Sequence, residues 1–123
     1  MSAAHARRFR RGPGSAYRKL QSLRFLLTRD LAAVRSFFVG HSPLSPRHRL
    51  GLLHRFVHIT NHVRGYHTLA EMLQVAQVIL RLSGRPDLTV IEAGAGYGSS
   101  TAKLSWAVAE AGGRLLVFDS FRG

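Results

Sequence analysis

The chain has 123 residues, enough for one small domain, and it contains no cysteine. A disulfide scaffold, a cysteine-based metal site and a cysteine nucleophile are therefore excluded. The net charge of +12 arises wholly in residues 1–64, which carry thirteen basic side chains and one acidic one, whereas residues 65–123 carry five of each sign. The longest uncharged apolar stretch, residues 72–80, is far shorter than the roughly 20 residues that a membrane-spanning helix needs. These features predict a soluble, cytoplasmic protein.

Residues 1–16 form the first predicted segment. They are rich in arginine, contain the turn sequence Gly12-Pro13-Gly14 and lack hydrophobic periodicity, so we expect a disordered basic arm. An arginine-rich, acid-free start is also typical of a mitochondrial presequence, whereas no apolar segment follows that would indicate a secretory signal. The arginines of residues 1–40 could also contact nucleic acid or an anionic membrane.

Residues 17–39 and 46–64 have the 3.6-residue periodicity of two amphipathic helices, which together form a basic helical region over residues 17–64. Gly40 is expected to end the first helix, and Pro46 is suited to the first turn of the second. The predicted buried stripes are Leu20, Leu23, Leu27, Leu31, Val34 and Phe38 in the first helix, and Leu52, Phe56, Ile59 and Val63 in the second.

A third helix is predicted to begin after Thr68. The spacing Thr68-x-x-Glu71 is that of a capping box, in which the hydroxyl accepts from the amide of Glu71 and the carboxylate accepts from the amide of Thr68. The residues expected on its buried face are Leu69, Met72, Leu73, Ala76, Ile79 and Leu80. Gly84 and Pro86 are expected to end it.

The remaining sequence alternates between strand and helix patterns. Residues 88–91 and 115–118 are short apolar segments typical of buried strands. Between them, residues 100–111 predict a helix that ends at Gly112 and Gly113. Its expected buried residues are Leu104, Ala107, Val108 and Ala111. The fold class is therefore α/β, with N-terminal helices before a parallel β-α-β unit in residues 65–123.

Residues 92–98, which read E-A-G-A-G-Y-G, follow the first predicted strand. Glycines at the carboxyl end of a strand allow a sharp turn and let a ligand lie on the main chain, and the next helix offers unpaired N–H groups to an anion. Asp119 directly follows the second strand, at the place where a carboxylate binds the two hydroxyls of a ribose in nucleoside-cofactor sites. The unit is typical of a nucleoside-cofactor site.

The glycine spacing distinguishes two cofactors. A dinucleotide site requires G-x-G-x-x-G/A, which would put Ser99 at the third small position. The observed E-x-G-x-G-x-G instead resembles motif I of class I S-adenosylmethionine-dependent methyltransferases. This resemblance implies a Rossmann-like doubly wound parallel sheet. It also implies that Glu92 helps to hold the methionine end of S-adenosylmethionine and that Asp119 binds its ribose.

Three segments, in the right order, are similar to the macrocin O-methyltransferase (TylF) family of bacterial small-molecule methyltransferases. They are H-T-L-A-E-M-L at residues 67–73, G-S-S-T-A-K-L-S at residues 98–105 and V-F-D-S-F-R-G at residues 117–123. The similarity covers residues 62–123, about half of the chain. The family usually has G-G-S-T-A-K-L-S and F-D-S-F-E-G, so Ser99 replaces a glycine and Arg122 a glutamate. The cofactor-binding residues that the resemblance implies are Glu92, Ala93, Gly94, Gly96, Tyr97, Gly98, Ser99, Ser100, Thr101, Asp119 and Ser120.

The resemblance also implies a sheet that is truncated after its second strand. Family members place the catalytic base and the metal carboxylates after the fourth strand, so no catalytic or metal-binding residue is predicted in this chain. We therefore expect a cofactor-binding N-terminal portion of an O-methyltransferase that is inactive alone. A central strand with an unpaired edge predicts aggregation or dependence on a partner, either a second copy or a C-terminal portion. The small-molecule acceptor is not predicted.

Other interpretations of the same residues remain open. The glycine loop could be a tight turn without a ligand, with Asp119 capping the next turn and Ser99, Ser100 and Thr101 acting as N-caps. The unit could bind NAD. The first 64 residues could form a basic module that associates with membranes or nucleic acid, attached to a vestigial nucleotide-binding unit.

His54, His58 and His62 share one face of the second predicted helix, opposite its apolar stripe. This spacing occurs in helical zinc sites. No carboxylate or cysteine accompanies the three histidines, and three ligands one turn apart cannot all reach one ion. The pattern therefore predicts a solvated polar face.

Overall fold

The computed structural model describes residues 30–40 and 42–120, together with Ala16, Leu20, Arg24 and Arg122. Residues 30–40 and 42–120 form four helices and two strands. In chain order these are α1 (Leu31–Val39), α2 (Pro46–His62), α3 (Leu69–Arg81), β1 (Thr89–Ala93), α4 (Ser99–Ala111) and β2 (Arg114–Phe118). Residues 1–15 of the predicted arm and most of residues 17–29 lie outside the described part, whereas Ala16, which was assigned to the disordered arm, is helical. No helix within that part is long and apolar enough to cross a membrane.

Helix α1 confirms the end of the first predicted helix, but it begins only at Leu31, after Asp30, and its buried face was predicted only in part. Leu20 and Leu31 are 69% and 55% exposed, whereas Phe37, which was not on the predicted stripe, is fully buried. Val34 and Phe38 are half-buried against the core. The buried face is set by the contacts of α1 with α2 and α3, so helical periodicity alone did not identify it.

Helix α2 begins as its sequence predicts. The hydroxyl of Ser45 accepts from the main-chain amide of His48, and Pro46 occupies the first helical position. Three of the four predicted core residues are buried, with Leu53 in addition. The exception is Val63, because the helix ends at His62 and Val63 is its half-buried C-cap residue.

Helix α3 confirms its prediction in full. The Thr68 amide donates to Glu71 Oε2 at 2.8 Å, and the Glu71 amide donates to Thr68 Oγ1 at 3.2 Å. All six residues predicted for its buried face are buried. They form the centre of one hydrophobic core with Phe37 of α1, Phe56 of α2 and the predicted buried face of α4.

The two strands pair in parallel, with Val90 opposite Leu115 and Glu92 opposite Val117, so the α/β class and the β-α-β unit are confirmed. The prediction that both strands are buried is wrong. Val90 and Leu115 pack on the helical core, but the other face of the sheet is bare of any described element. On that face the exposed fractions are 65% for Ile91, 45% for Leu116 and 60% for Phe118. An apolar strand is buried on both faces only where other elements cover both.

Candidate functional site

A glycine loop joins β1 to α4. Gly94, Gly96 and Gly98 have φ values of +85°, +54° and +84°, in the left-handed region that side chains rarely adopt. Gly98 is the N-cap residue of α4, where its carbonyl accepts from the amide of Ala102 at 2.9 Å. All three glycines of the predicted motif are therefore required by the conformation of the backbone.

The loop is tied to the end of β2. The amide of Gly94 donates to the carbonyl of Phe118 at 2.7 Å, and the amide of Gly96 donates to Oδ2 of Asp119 at 2.9 Å. Asp119 therefore lies at the carboxyl end of the sheet against the loop, as its position after β2 predicted. Its carboxylate caps the glycine loop through the Gly96 amide.

Glu92 is a buried carboxylate on the face of β1 that meets the helices, with 8% of its surface exposed. Its Oε1 accepts a hydrogen bond from the hydroxyl of Ser100. Its Oε2 is buried and has no hydrogen-bond partner among the described residues, and the same holds for Oγ1 of Thr101. Because a buried carboxylate oxygen without a partner is costly, Glu92 has the capacity to accept a further hydrogen bond.

The first five residues of α4 include two buried polar residues. Ser99 is 4% exposed and Lys103 is 2% exposed, and the Lys103 ammonium donates to Ser99 Oγ at 3.3 Å. Burial lowers the pKa of Lys103. Sequence reasoning missed Lys103 as a site residue. The signal was present, since Lys103 shares the buried face of α4 with Ala107 and Ala111, at four-residue spacing.

A cleft of about 230 Å³ lies between the glycine loop and the connection from α2 to α3. Its walls are residues 64–67, residues 94–97, Asp119, and Ser99, Ser100 and Lys103 of α4. The connection was not predicted as part of a site. It approaches α4 closely, because a Cβ atom placed on Gly65 would lie 2.7 Å from both Cβ and Oγ of Ser99.

The structure brings six of the eleven predicted site residues into this cleft, namely Gly94, Gly96, Tyr97, Ser99, Ser100 and Asp119. The other five surround it. Gly98 shapes the turn, and Glu92 contacts the cleft wall through Ser100. Thr101 is half-buried behind the first turn of α4, and Ala93 is exposed at the end of β1. Ser120 lines an adjoining shallow depression that shares Gly94 and Asp119 with the cleft.

Aromatic and cationic side chains border the cleft. The rings of Tyr66 and Tyr97 stack with centroids 6.4 Å apart, and the Arg64 guanidinium lies 6.0 Å from the Tyr97 ring. Both tyrosines are largely exposed. Arg64 and Lys103 line the cleft together with a single carboxylate, that of Asp119. The cleft therefore combines two cations, one carboxylate and two aromatic rings.

The three histidines of α2 lie on an exposed face, as predicted. The rings of His58 and His62 stack with centroids 4.1 Å apart, and His62 Nδ1 lies 2.7 Å from the carbonyl oxygen of His58. Across residues 30–40 and 42–120, no group of three histidine and acidic side chains is arranged to hold a metal ion.

Comparisons with protein-family models, with curated proteins and with solved structures find no match to this chain.

Proposed function

We propose that this chain binds S-adenosylmethionine in the cleft and depression at the end of its sheet, as part of a class I methyltransferase. The observation that carries the proposal is the glycine loop between β1 and α4, with Asp119 at the end of β2 hydrogen-bonded to Gly96. The parallel pairing of β1 and β2 also supports a Rossmann-like sheet, in which ligands bind outside the carboxyl ends of the strands.

Each part of the site suits one part of this cofactor. Asp119 is half-buried beside the loop, where a carboxylate can accept from both hydroxyls of a ribose. The depression lined by Phe118, Asp119 and Ser120 adjoins it and offers an apolar surface to a purine. Glu92 and Ser100 lie towards α4, where the unpartnered Glu92 Oε2 can accept from an ammonium group or from a water between them.

The proposed reaction is methyl transfer to an oxygen atom of a small molecule. The bound cofactor would supply an electrophilic methyl group on its sulfonium centre. The described residues contribute by holding that centre in a fixed position at the mouth of the cleft, which reduces the entropy cost of reaction with an acceptor. Tyr66 and Tyr97, with their exposed rings, border the open side of the cleft from which an acceptor would approach.

Calorimetric titration of the full chain with S-adenosylmethionine and with NAD tests the proposal. We expect S-adenosylmethionine to bind and NAD to fail. Asp119→Ala should weaken binding at least about tenfold, because the ribose loses a charged acceptor. Glu110→Ala removes an exposed acid at the other end of α4 and is the matched control, for which we expect no change. Binding of NAD without binding of S-adenosylmethionine would contradict the proposal.

A further inference from the structure

Lys103 is a charged side chain in an unusual position. Its relative exposure is 2%, yet it lies in the wall of the cleft rather than in the middle of the hydrophobic core. Within the described residues, the Ser99 hydroxyl is the one hydrogen-bond partner of its ammonium, and no carboxylate forms an ion pair with it. Buried ammonium groups are normally paired with an anion.

The surroundings of Lys103 provide no substitute for such an anion. Glu92 is the nearest buried carboxylate in sequence, but its Oε1 is engaged by Ser100 and its Oε2 has no partner. Asp119, the carboxylate of the cleft wall, accepts from the Gly96 amide. Lys103 is thus hydrogen-bonded to the hydroxyl of Ser99, whereas Glu92 is hydrogen-bonded to the hydroxyl of Ser100, so two opposite charges have separate partners at the start of α4.

We propose that Lys103 binds the carboxylate at the amino-acid end of the cofactor. The inference rests on the proposed function and assigns one group of the ligand to one residue. The carboxylate would enter the cleft beside the first turn of α4, whose free main-chain amides add to the attraction. Glu92, which accepts from the neighbouring hydroxyl of Ser100, lies behind the cleft wall and carries the opposite charge. The hydroxyls that contact this buried cation and this buried anion are adjacent in sequence, and an α-amino acid carries one charge of each sign.

A pair of ligands separates this role from a structural one. S-adenosylhomocysteine carries the amino-acid end, whereas 5′-methylthioadenosine has the same nucleoside and thioether without the amino-acid carboxylate. Affinities of both ligands are measured by calorimetry for the full chain and for Lys103→Met. Arg81→Met, in the exposed last turn of α3, changes the net charge equally and is the control. The ratio of the two affinities does not depend on the fraction of the protein that is folded, because partial unfolding lowers the apparent affinity for both ligands by the same factor.

We expect Lys103→Met to weaken the binding of S-adenosylhomocysteine by about tenfold or more, which is the loss typical of a hydrogen bond to a charged group. The affinity for 5′-methylthioadenosine should not change. Arg81→Met should change neither affinity. Equal effects of Lys103→Met on both ligands, or no effect on either, would overturn the assignment, as would an equal selective loss in Arg81→Met. If the unaltered chain binds neither ligand, the proposed function itself is wrong.

Discussion

The main-chain amide of Gly96 donates a hydrogen bond of 2.9 Å to Oδ2 of Asp119, which joins the loop after β1 to the end of β2. The bond links residues 23 positions apart and holds the loop in its left-handed conformation at Gly96. Asp119→Ala should lower the free energy of unfolding by about 1 kcal/mol, the usual contribution of one hydrogen bond. Asp119→Asn keeps an acceptor oxygen and should retain most of that stability. Urea denaturation of the three proteins measures the difference, and equal midpoints would contradict it.

The contact of Gly65 with Ser99 predicts opposite effects for two glycine substitutions. Gly65→Ala would place a Cβ atom 2.7 Å from Ser99, so the connection must move away from α4. We expect Gly65→Ala to lower the free energy of unfolding by about 1–3 kcal/mol, as at other overpacked sites, and to weaken ligand binding. Gly51→Ala is the matched control, because Gly51 lies in an exposed part of α2 with nothing within 4 Å of its added Cβ. Gly51→Ala should raise the free energy of unfolding by about 1 kcal/mol, because alanine is the better helix former. Denaturation midpoints that move in the same direction would contradict this contrast.

Burial of Lys103 predicts a change of stability with pH. Burial lowers the pKa of Lys103 below its usual 10.5, so between the two values the unfolded chain binds a proton that the folded chain does not. The free energy of unfolding therefore rises with pH through that window. Below it, the buried ammonium destabilises the fold.

Lys103→Met should therefore raise stability at neutral pH, and the difference from the unaltered chain should shrink as the pH rises towards 10.5. The other charged groups of the cleft, Arg64, His67, Asp119 and the nearby Glu92, are the same in both proteins. Chemical denaturation at several pH values between 7 and 11 checks the difference. A difference that does not vary with pH would show that the Lys103 pKa is not lowered.

The capping box of α3 predicts a loss of stability in acid. The pKa of Glu71 is lowered mainly by the hydrogen bond from the Thr68 main-chain amide. The hydrogen bond with the Thr68 side chain lowers it further, by a smaller amount. The carboxylate therefore stabilises the fold above its usual pKa of 4.5, and this contribution disappears as the pH falls through the lower folded value. Glu71→Gln should therefore lose less stability than the unaltered chain when the pH falls below 4.5.

Thr68→Ala tests the other half of the capping box. The substitution removes the acceptor for the Glu71 amide and should cost about 1 kcal/mol at neutral pH, as N-cap substitutions usually do. Helix content by circular dichroism during urea denaturation gives the free energy. An unchanged midpoint would show that the cap does not contribute to stability.

The bare face of the sheet predicts self-association. Ile91 and Phe118 lie on it and are 65% and 60% exposed. Exposed apolar strands favour contact with other chains. Ile91→Thr keeps a β-branched residue in β1 and should reduce both light scattering and binding of an apolar dye. Val78→Thr, at a 56% exposed position of α3, is the control and should have a smaller effect. Equal effects would show that association does not depend on the sheet.

Local sequence patterns predicted α2, α3, α4 and the capping box well. The capping box of Thr68 and the periodicity of residues 69–80 involve side chains that are neighbours along one helix, so no distant contact is needed to recognise them. The glycines of the loop are similar, because each left-handed φ is a property of one residue. These parts of the fold and site were predicted with the correct residues.

Features that depend on distant parts of the chain were predicted poorly or not at all. Ile91 is an apolar, β-branched residue of the kind that is usually buried in a strand, but it is exposed, because no described element covers that face of the sheet. Phe37 was missed because the buried side of α1 is chosen by α2 and α3. The connection at Gly65 became part of the cleft only through its contact with Ser99, 34 positions away.

The amino-acid sequence alone was sufficient to establish the α/β class, the glycine loop and the position of Asp119 after the second strand, since each depends on the order and spacing of residues close together in the chain. The burial of Lys103 in a cleft wall and the exposure of Ile91 emerged only when the elements packed. The physical reason is that solvent exposure depends on which surfaces meet, and these surfaces belong to segments far apart in sequence.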